Sequence, residues 1–198
     1  MPKLAAEARA ERRQRFVEAA WRCAARMGFR DMTVDDVCAE AGQSKGAFYV
    51  YFPHKQSLLL ALVDDDASHL DHLIAELDRR GTSSVDRLRR FTRAALERHQ
   101  HPGRAQVRAD LWTAMLTEPQ VRAQVAAAVA RRRAPLRRWV EEGVASGELV
   151  DIPANAFASI LLALADGLIL HAALDPNGFR WPRIARALDL MLESVSRP

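Results

Sequence analysis

Lys45 and Tyr49 stand four residues apart, with Ser44 before the lysine and Gly46 after it. At that spacing the ammonium and the phenol share one face of a helix. Such a set does not form a nucleophile with its base or a general acid pair. It suits non-covalent contact with an anionic polymer. A cation and hydroxyls reach phosphate oxygens, and a residue without a Cβ lets a backbone come close. Phe48 and Phe52, also four apart, need a core, so Lys45 and Tyr49 point away from it. A helical hairpin with a solvated Lys and Tyr fits the same spacing.

The elements that must position these residues are legible in Thr33 to Phe52. Thr33 is a good N-cap, and Asp36 stands where a capping box places an acid. Val37 and Ala41 share one face, and Gly42 suits the left-handed residue that closes a helix. Ser44 caps a second short helix that stops at Pro53. Two short helices across a tight turn, the second with a cationic and aromatic outer face, are how a helix-turn-helix enters a DNA major groove.

The run SKGAFYVYFPHKQSLLLALV closely resembles the DNA-binding segment of TetR-family transcriptional regulators. Ser44, Lys45, Gly46, Phe48, Tyr49, Phe52, Lys55 and Leu58 match that pattern, as do Thr33, Val34, Val37, Ala41 and Gly42 before it. The sequence departs from it at Val50 and Tyr51, where the family often has an aromatic and a His. The resemblance spans about Arg13 to Val63. It implies DNA contacts from Thr33, Gln43, Ser44, Lys45, Gly46, Tyr49, Tyr51, His54 and Lys55, with Thr33, Ser44 and Lys55 on phosphates.

The chain has 198 residues, 49% of them hydrophobic, and a formal net charge of +4. Residues 1–30 hold eight Lys or Arg against three Glu, and residues 140–198 four Arg against eight Asp or Glu. A basic N-terminal end suits a nucleic-acid reader. The first helix is predicted over about residues 3–27, ending at Gly28, with Phe16, Ala19, Ala20, Cys23 and Met27 in a stripe and Arg9, Arg12, Arg13 and Arg15 at its start. Cys23 and Cys38 read as reduced core thiols in a cytoplasmic protein. No signal peptide opens the sequence, and the apolar run Ile160–Leu174 reads as too short to span a bilayer.

Further helices are predicted over about 55–79, 85–99, 104–116, 119–144, 154–174 and 182–195. Pro135 is expected to kink or break the fourth of these, and Arg131–Arg133 to form a solvated surface. The last two carry more apolar surface than one small bundle covers. The resemblance implies that they form a four-helix dimer interface, with Leu161, Leu164, Leu168, Ile184, Leu188, Met191 and Val195 as candidates.

No Walker loop, GxGxxG, GxSxG, CxxC, HExxH or Glu-x-x-His occurs, so neither an enzyme nor a cofactor is expected. His69 and His72 could share a metal but more often line a polar face, and His99 and His101 read as loop residues. The expected architecture is all-α. A three-helix helix-turn-helix domain spans residues 1–54, and a helical ligand-sensing and dimerisation bundle spans 55–198. The resemblance implies a homodimeric repressor of a near-palindromic operator, released by an unidentified small molecule held between the linking helix and the bundle. Phe91, Trp112, Met115 and Phe157 are candidate pocket walls, with Arg108 and His171 as polar groups. The alternative is a helical ligand- or metal-binding protein without specific DNA binding, which a gel shift would separate.

Overall fold

The computed structural model describes residues 2–79, 81–98, 104–175 and 177–197; His99 and His101 lie outside them. The described residues form nine helices and no strand: α1 (Pro2–Asp31), α2 (Val34–Ala41), α3 (Lys45–Tyr51), α4 (Lys55–Arg79), α5 (Ser84–Arg98), α6 (Arg104–Thr117), α7 (Pro119–Ser146), α8 (Ala154–Leu174) and α9 (Trp181–Ser194). The chain packs as two compact units, Met1–Asp66 with Pro102–Gln124 and Ala67–His101 with Val125–Pro198. That division differs from the sequence-based one at residue 54, because α6 packs with α1.

In the first unit, α1 is broken at Gly28, whose φ of 80° and ψ of 156° lie outside the helical region. A side chain there would be strained, so glycine lets the chain turn between the long helix and Phe29. Phe16, Val17, Ala20, Cys23 and Ala24 bury one face of α1, with Phe16 edge-on to Phe48 and Phe52, and Val37, Leu58 and Leu62 are buried in the same unit. Each large side chain buried in this way contributes about 1.5–3 kcal/mol. Both cysteines are free and buried, and burial pushes both thiols up.

In the second unit, Leu70, Ile74 and Leu77 of α4 join Leu88 and Phe91 of α5, Leu136, Trp139 and Val140 of α7, and Ala158, Leu161 and Leu162 of α8 in one core. Helix α7 runs unbroken through Pro135, against expectation. Proline costs a helix about 3 kcal/mol, but Leu136, Trp139 and Val140 are fully buried just beyond it, and their packing holds the helix together. The arginine run is also not simply solvated. Arg131 and Arg132 approach the Asp71 carboxylate at 3.9 and 3.5 Å, and the Arg132 side chain is only 11% exposed. One helical heptad on, Asp78 accepts from Trp139 Nε1 at 2.6 Å and from Arg138 at 2.5 Å.

Helix α8 is longer than the apolar run read from the sequence, and its segment Ala154–Ala172 is long and apolar enough to cross a membrane by length and composition. In this fold it is a bundle helix, with Ala158, Leu161, Leu162 and Ile169 buried. Only 22% of that segment is buried within one copy.

Candidate nucleic-acid interface

Local chemistry builds the helix-turn-helix. Thr33 Oγ1 accepts from the Asp36 N–H at 3.2 Å, and the Asp36 carboxylate accepts from the Thr33 N–H at 2.8 Å. This is a complete capping box; the Thr33 hydroxyl also donates to the Asp36 carboxylate at 2.7 Å, and that bond, with the one from the Thr33 N–H, holds the Asp36 carboxyl below its usual range. Gly42 closes α2 at φ 63° and ψ 36°, a left-handed conformation that other residues adopt only under strain. The Gln43 N–H then donates to the Cys38 carbonyl at 2.9 Å. Ser44 Oγ accepts from the Ala47 N–H at 3.2 Å and starts α3. Beneath α3, Phe16 meets Phe48 edge-on at 5.5 Å and Phe52 at 6.3 Å, which fixes the helix's rotation about its axis.

With Phe48 inward, Lys45, Gly46, Tyr49 and Val50 are exposed on α3. Lys45 Nζ lies 2.8 Å from the Asp35 carboxylate, which raises the lysine's pKa. Tyr49 is 51% exposed and Val50 64%. Thr33 and Ser44 are exposed at the two helix starts, and Gln43 is half-buried between them.

The other candidates are engaged within the protein. Tyr51 is half-buried 6.0 Å from Phe16, with the Arg9 guanidinium 6.0 Å above its ring. His54 is exposed and Nδ1 accepts from the Ser57 N–H at 3.2 Å, at the start of α4. Lys55 Nζ donates to the Arg30 carbonyl at 2.8 Å and lies 4.9 Å from the centre of the Phe29 ring. Burial in that seat lowers its pKa. Within the protein the Lys55 ammonium thus holds the turn after Gly28. The Phe29 N–H beside it donates to the Asp110 carboxylate of α6 at 2.7 Å. No motif marks Asp110. The sequence reading did not pair Asp35 with Lys45, and it named Val50 only as a departure from the family pattern; the structure leaves Val50 exposed, four residues from Gly46.

The effector candidates fall on two packing units. Phe91 is fully buried, edge-on to Trp139 at 6.4 Å. Phe157 lines an apolar cavity of about 150 Å³ with Leu161, Leu188 and Leu192, and His171 is exposed on α8. On α6, Trp112 is 42% exposed and Met115 half-buried, while Arg108 lies 3.6 Å from Asp66. Of the candidate interface residues, Leu161 and Leu188 are buried within their own chain, and Leu164, Leu168, Ile184 and Val195 are half-buried. Met191 is 55% exposed, as is Ile160, which the sequence reading passed over.

Two family models cover most of the chain. Residues 16–62 match the tetR family of bacterial regulatory proteins, and residues 84–197 match the C-terminal domain of BetI-type transcriptional repressors. The chain belongs to the TetR family. It is therefore a DNA-binding transcriptional regulator, not a helical protein that merely carries a vestigial hairpin. Among TetR-family relatives, the repressor AcnR of Corynebacterium diphtheriae is 28% identical over 93% of this chain and 91% of its own. The repressor Rv1474c of Mycobacterium tuberculosis is 28% identical over the whole of both chains. A regulator from Saccharomonospora viridis, solved in complex with choline, superposes with a TM-score of 0.81 at 25% identity, over 96% of this chain and all of that one.

Proposed function

We propose that the protein is a repressor that reads a near-palindromic operator as a two-fold dimer and leaves it when a small molecule binds. The observation that carries the reading is the outward face of α3. Lys45, Gly46, Tyr49 and Val50 are exposed together over a buried aromatic base. Gly46 sharpens it. A Cβ there would meet only Ser44 Oγ, at 3.8 Å, so nothing inside the protein requires a glycine. Its helix cost of about 1 kcal/mol goes unrecovered unless something outside comes close. In this reading Lys45 and Tyr49 carry the main contacts. Thr33 and Ser44 lie along the phosphates with Gln43 beside them, and Tyr51, His54 and Lys55 support the unit from within.

The dimer reading rests on α8 and α9. Ile160, Leu174, Leu190 and Met191 are all more than half exposed, on helices that bury Ala158, Leu161, Leu162, Ile169, Leu188 and Leu192 on their inner side. A second copy buries that surface, with Met191 and Ile160 at its centre and Leu164, Leu168, Ile184 and Val195 around them. A small-molecule effector follows from likeness to the choline-bound regulator, with the chemistry of this chain's own effector left open. Phe91, Phe157 and His171 of the C-terminal unit, and Arg108, Trp112 and Met115 of α6, remain the candidate effector residues. A regulator of this kind works in the cytoplasm.

Selection of bound DNA from a random pool, with sedimentation of the same protein, tests the reading. We expect a near-palindromic site with half-sites about 10 base pairs or a multiple apart, bound by a dimer that Met191→Glu dissociates. Failure to enrich any sequence, or a monomer at micromolar concentration, overturns it. A thermal-shift ligand screen followed by DNA binding tests the effector. Coupling of about 1–3 kcal/mol changes operator affinity about 5- to 150-fold, and stabilising ligands that all leave affinity unchanged remove that part.

A further inference from the structure

We propose that Val50 reads the methyl group of a thymine, so that α3 selects A·T pairs through an apolar contact. The inference rests on the operator-reading role proposed above and names the base chemistry at its centre.

Helix α3 has seven residues, and the structure leaves four of them outward: Lys45, Gly46, Tyr49 and Val50. Phe48 is buried, and Tyr51 is turned against Phe16 beneath Arg9. The outward set contains no Asn, Gln or Arg, and Lys45 is its one side chain of a kind that pairs with guanine. Lys45 has one point charge, and Asp35 holds it at 2.8 Å. Gly46 has no side chain. The remaining surface is the phenol of Tyr49 and the two methyls of Val50, 64% exposed and one turn from Gly46. Single exposed apolar residues are ordinary on a protein surface. This one is β-branched, which a helix disfavours, and it stands on the face that must enter the groove. The major groove offers one apolar protrusion, the thymine 5-methyl group. The missing side chain at Gly46 lets the helix sink until the Val50 methyls reach it.

The test uses the full-length protein and the site it selects from a random pool, remade with deoxyuridine at each thymine in turn. This deletes only the methyl group. We expect one thymine in each half-site whose demethylation weakens binding by the unmodified protein about 4-fold, the effect of losing one buried CH₂-sized group. Val50→Ala protein should bind both forms equally, at the weakened level. Val50→Thr, which keeps one methyl, should retain part of the discrimination. Val50 is exposed and a helix disfavours its branched side chain, so neither variant should melt appreciably below the unmodified protein. Indifference of the unmodified protein to every uracil substitution, or full discrimination by Val50→Ala, overturns the proposal. A pool that enriches no sequence instead overturns the operator-reading role itself.

Discussion

The Lys45 ammonium lies 2.8 Å from the Asp35 carboxylate and ties the outer face of α3 to the first turn of α2. Both side chains are exposed, so the pair adds little to stability. In the proposed reading its effect falls on DNA, since Asp35 places a negative charge beside the lysine of the contact face. We expect Asp35→Asn to tighten binding to DNA of any sequence several-fold at low salt. Lys45→Ala should weaken it and lower the salt slope by about 0.9. Titrations at several salt concentrations check both. An unchanged Asp35→Asn protein would mean that the carboxylate faces away from the bound duplex.

Gly46 yields a pair of effects with opposite signs. A methyl group there meets nothing closer than Ser44 Oγ at 3.8 Å, so Gly46→Ala should stabilise the folded protein by about 0.5–1 kcal/mol. The same methyl should weaken operator binding if α3 approaches as closely as proposed. Chemical denaturation and a gel shift on one preparation read both. A rise in stability with no loss of affinity would show that α3 docks with space to spare.

Asp110 is the acceptor for the buried Phe29 N–H. Asp110→Ala should leave that donor unpaired, at a cost of about 1–3 kcal/mol. Asp110→Asn keeps an acceptor oxygen and should cost less. Denaturation of the three proteins measures the order, and equal stability of Ala and Asp at position 110 would contradict the account.

Asp36 gives a pH signature. Its hydrogen bonds from the Thr33 hydroxyl and N–H lower its pKa in the folded state. A carboxylate with a lowered folded pKa contributes stability that is present above its unfolded pKa, near 3.9, and is lost as pH falls through the folded value. The stability gap between the unmodified protein and Asp36→Asn should therefore be widest near neutrality and close on the acid side of about pH 4. A gap that holds constant to pH 3 would assign the effect to something other than the capping carboxylate.

The start of α2, its glycine end and the start of α3 were legible in the sequence. Each rests on a side chain and a backbone group within a few residues of each other, as in Thr33 with Asp36 and Ser44 with Ala47. The outward face of α3 was legible because Phe48 and Phe52 fix which side is in. What escaped depends on distant partners. Lys55 is drawn to the Arg30 carbonyl, Tyr51 to Phe16, and Arg132 to Asp71. That α7 continues past Pro135 without a break was not legible for the same reason, since the packing beyond it comes from α4, α5 and α8. Which candidate residues of α9 one copy already buries was not legible either. Leu188 turns into its own core while Met191 faces out.

Because α6 packs with α1, the module that grips DNA is not a contiguous piece of chain. Consider an N-terminal reader spliced to a foreign sensor just after α4 starts. Here such a splice would discard Asp110, strip the cover from Phe29, and give the reader a stranger's α6. A transplantable reader from this protein must take residues 104–124 with it, and a working hybrid therefore needs two junctions upstream of the dimer helices as well as the one in α4.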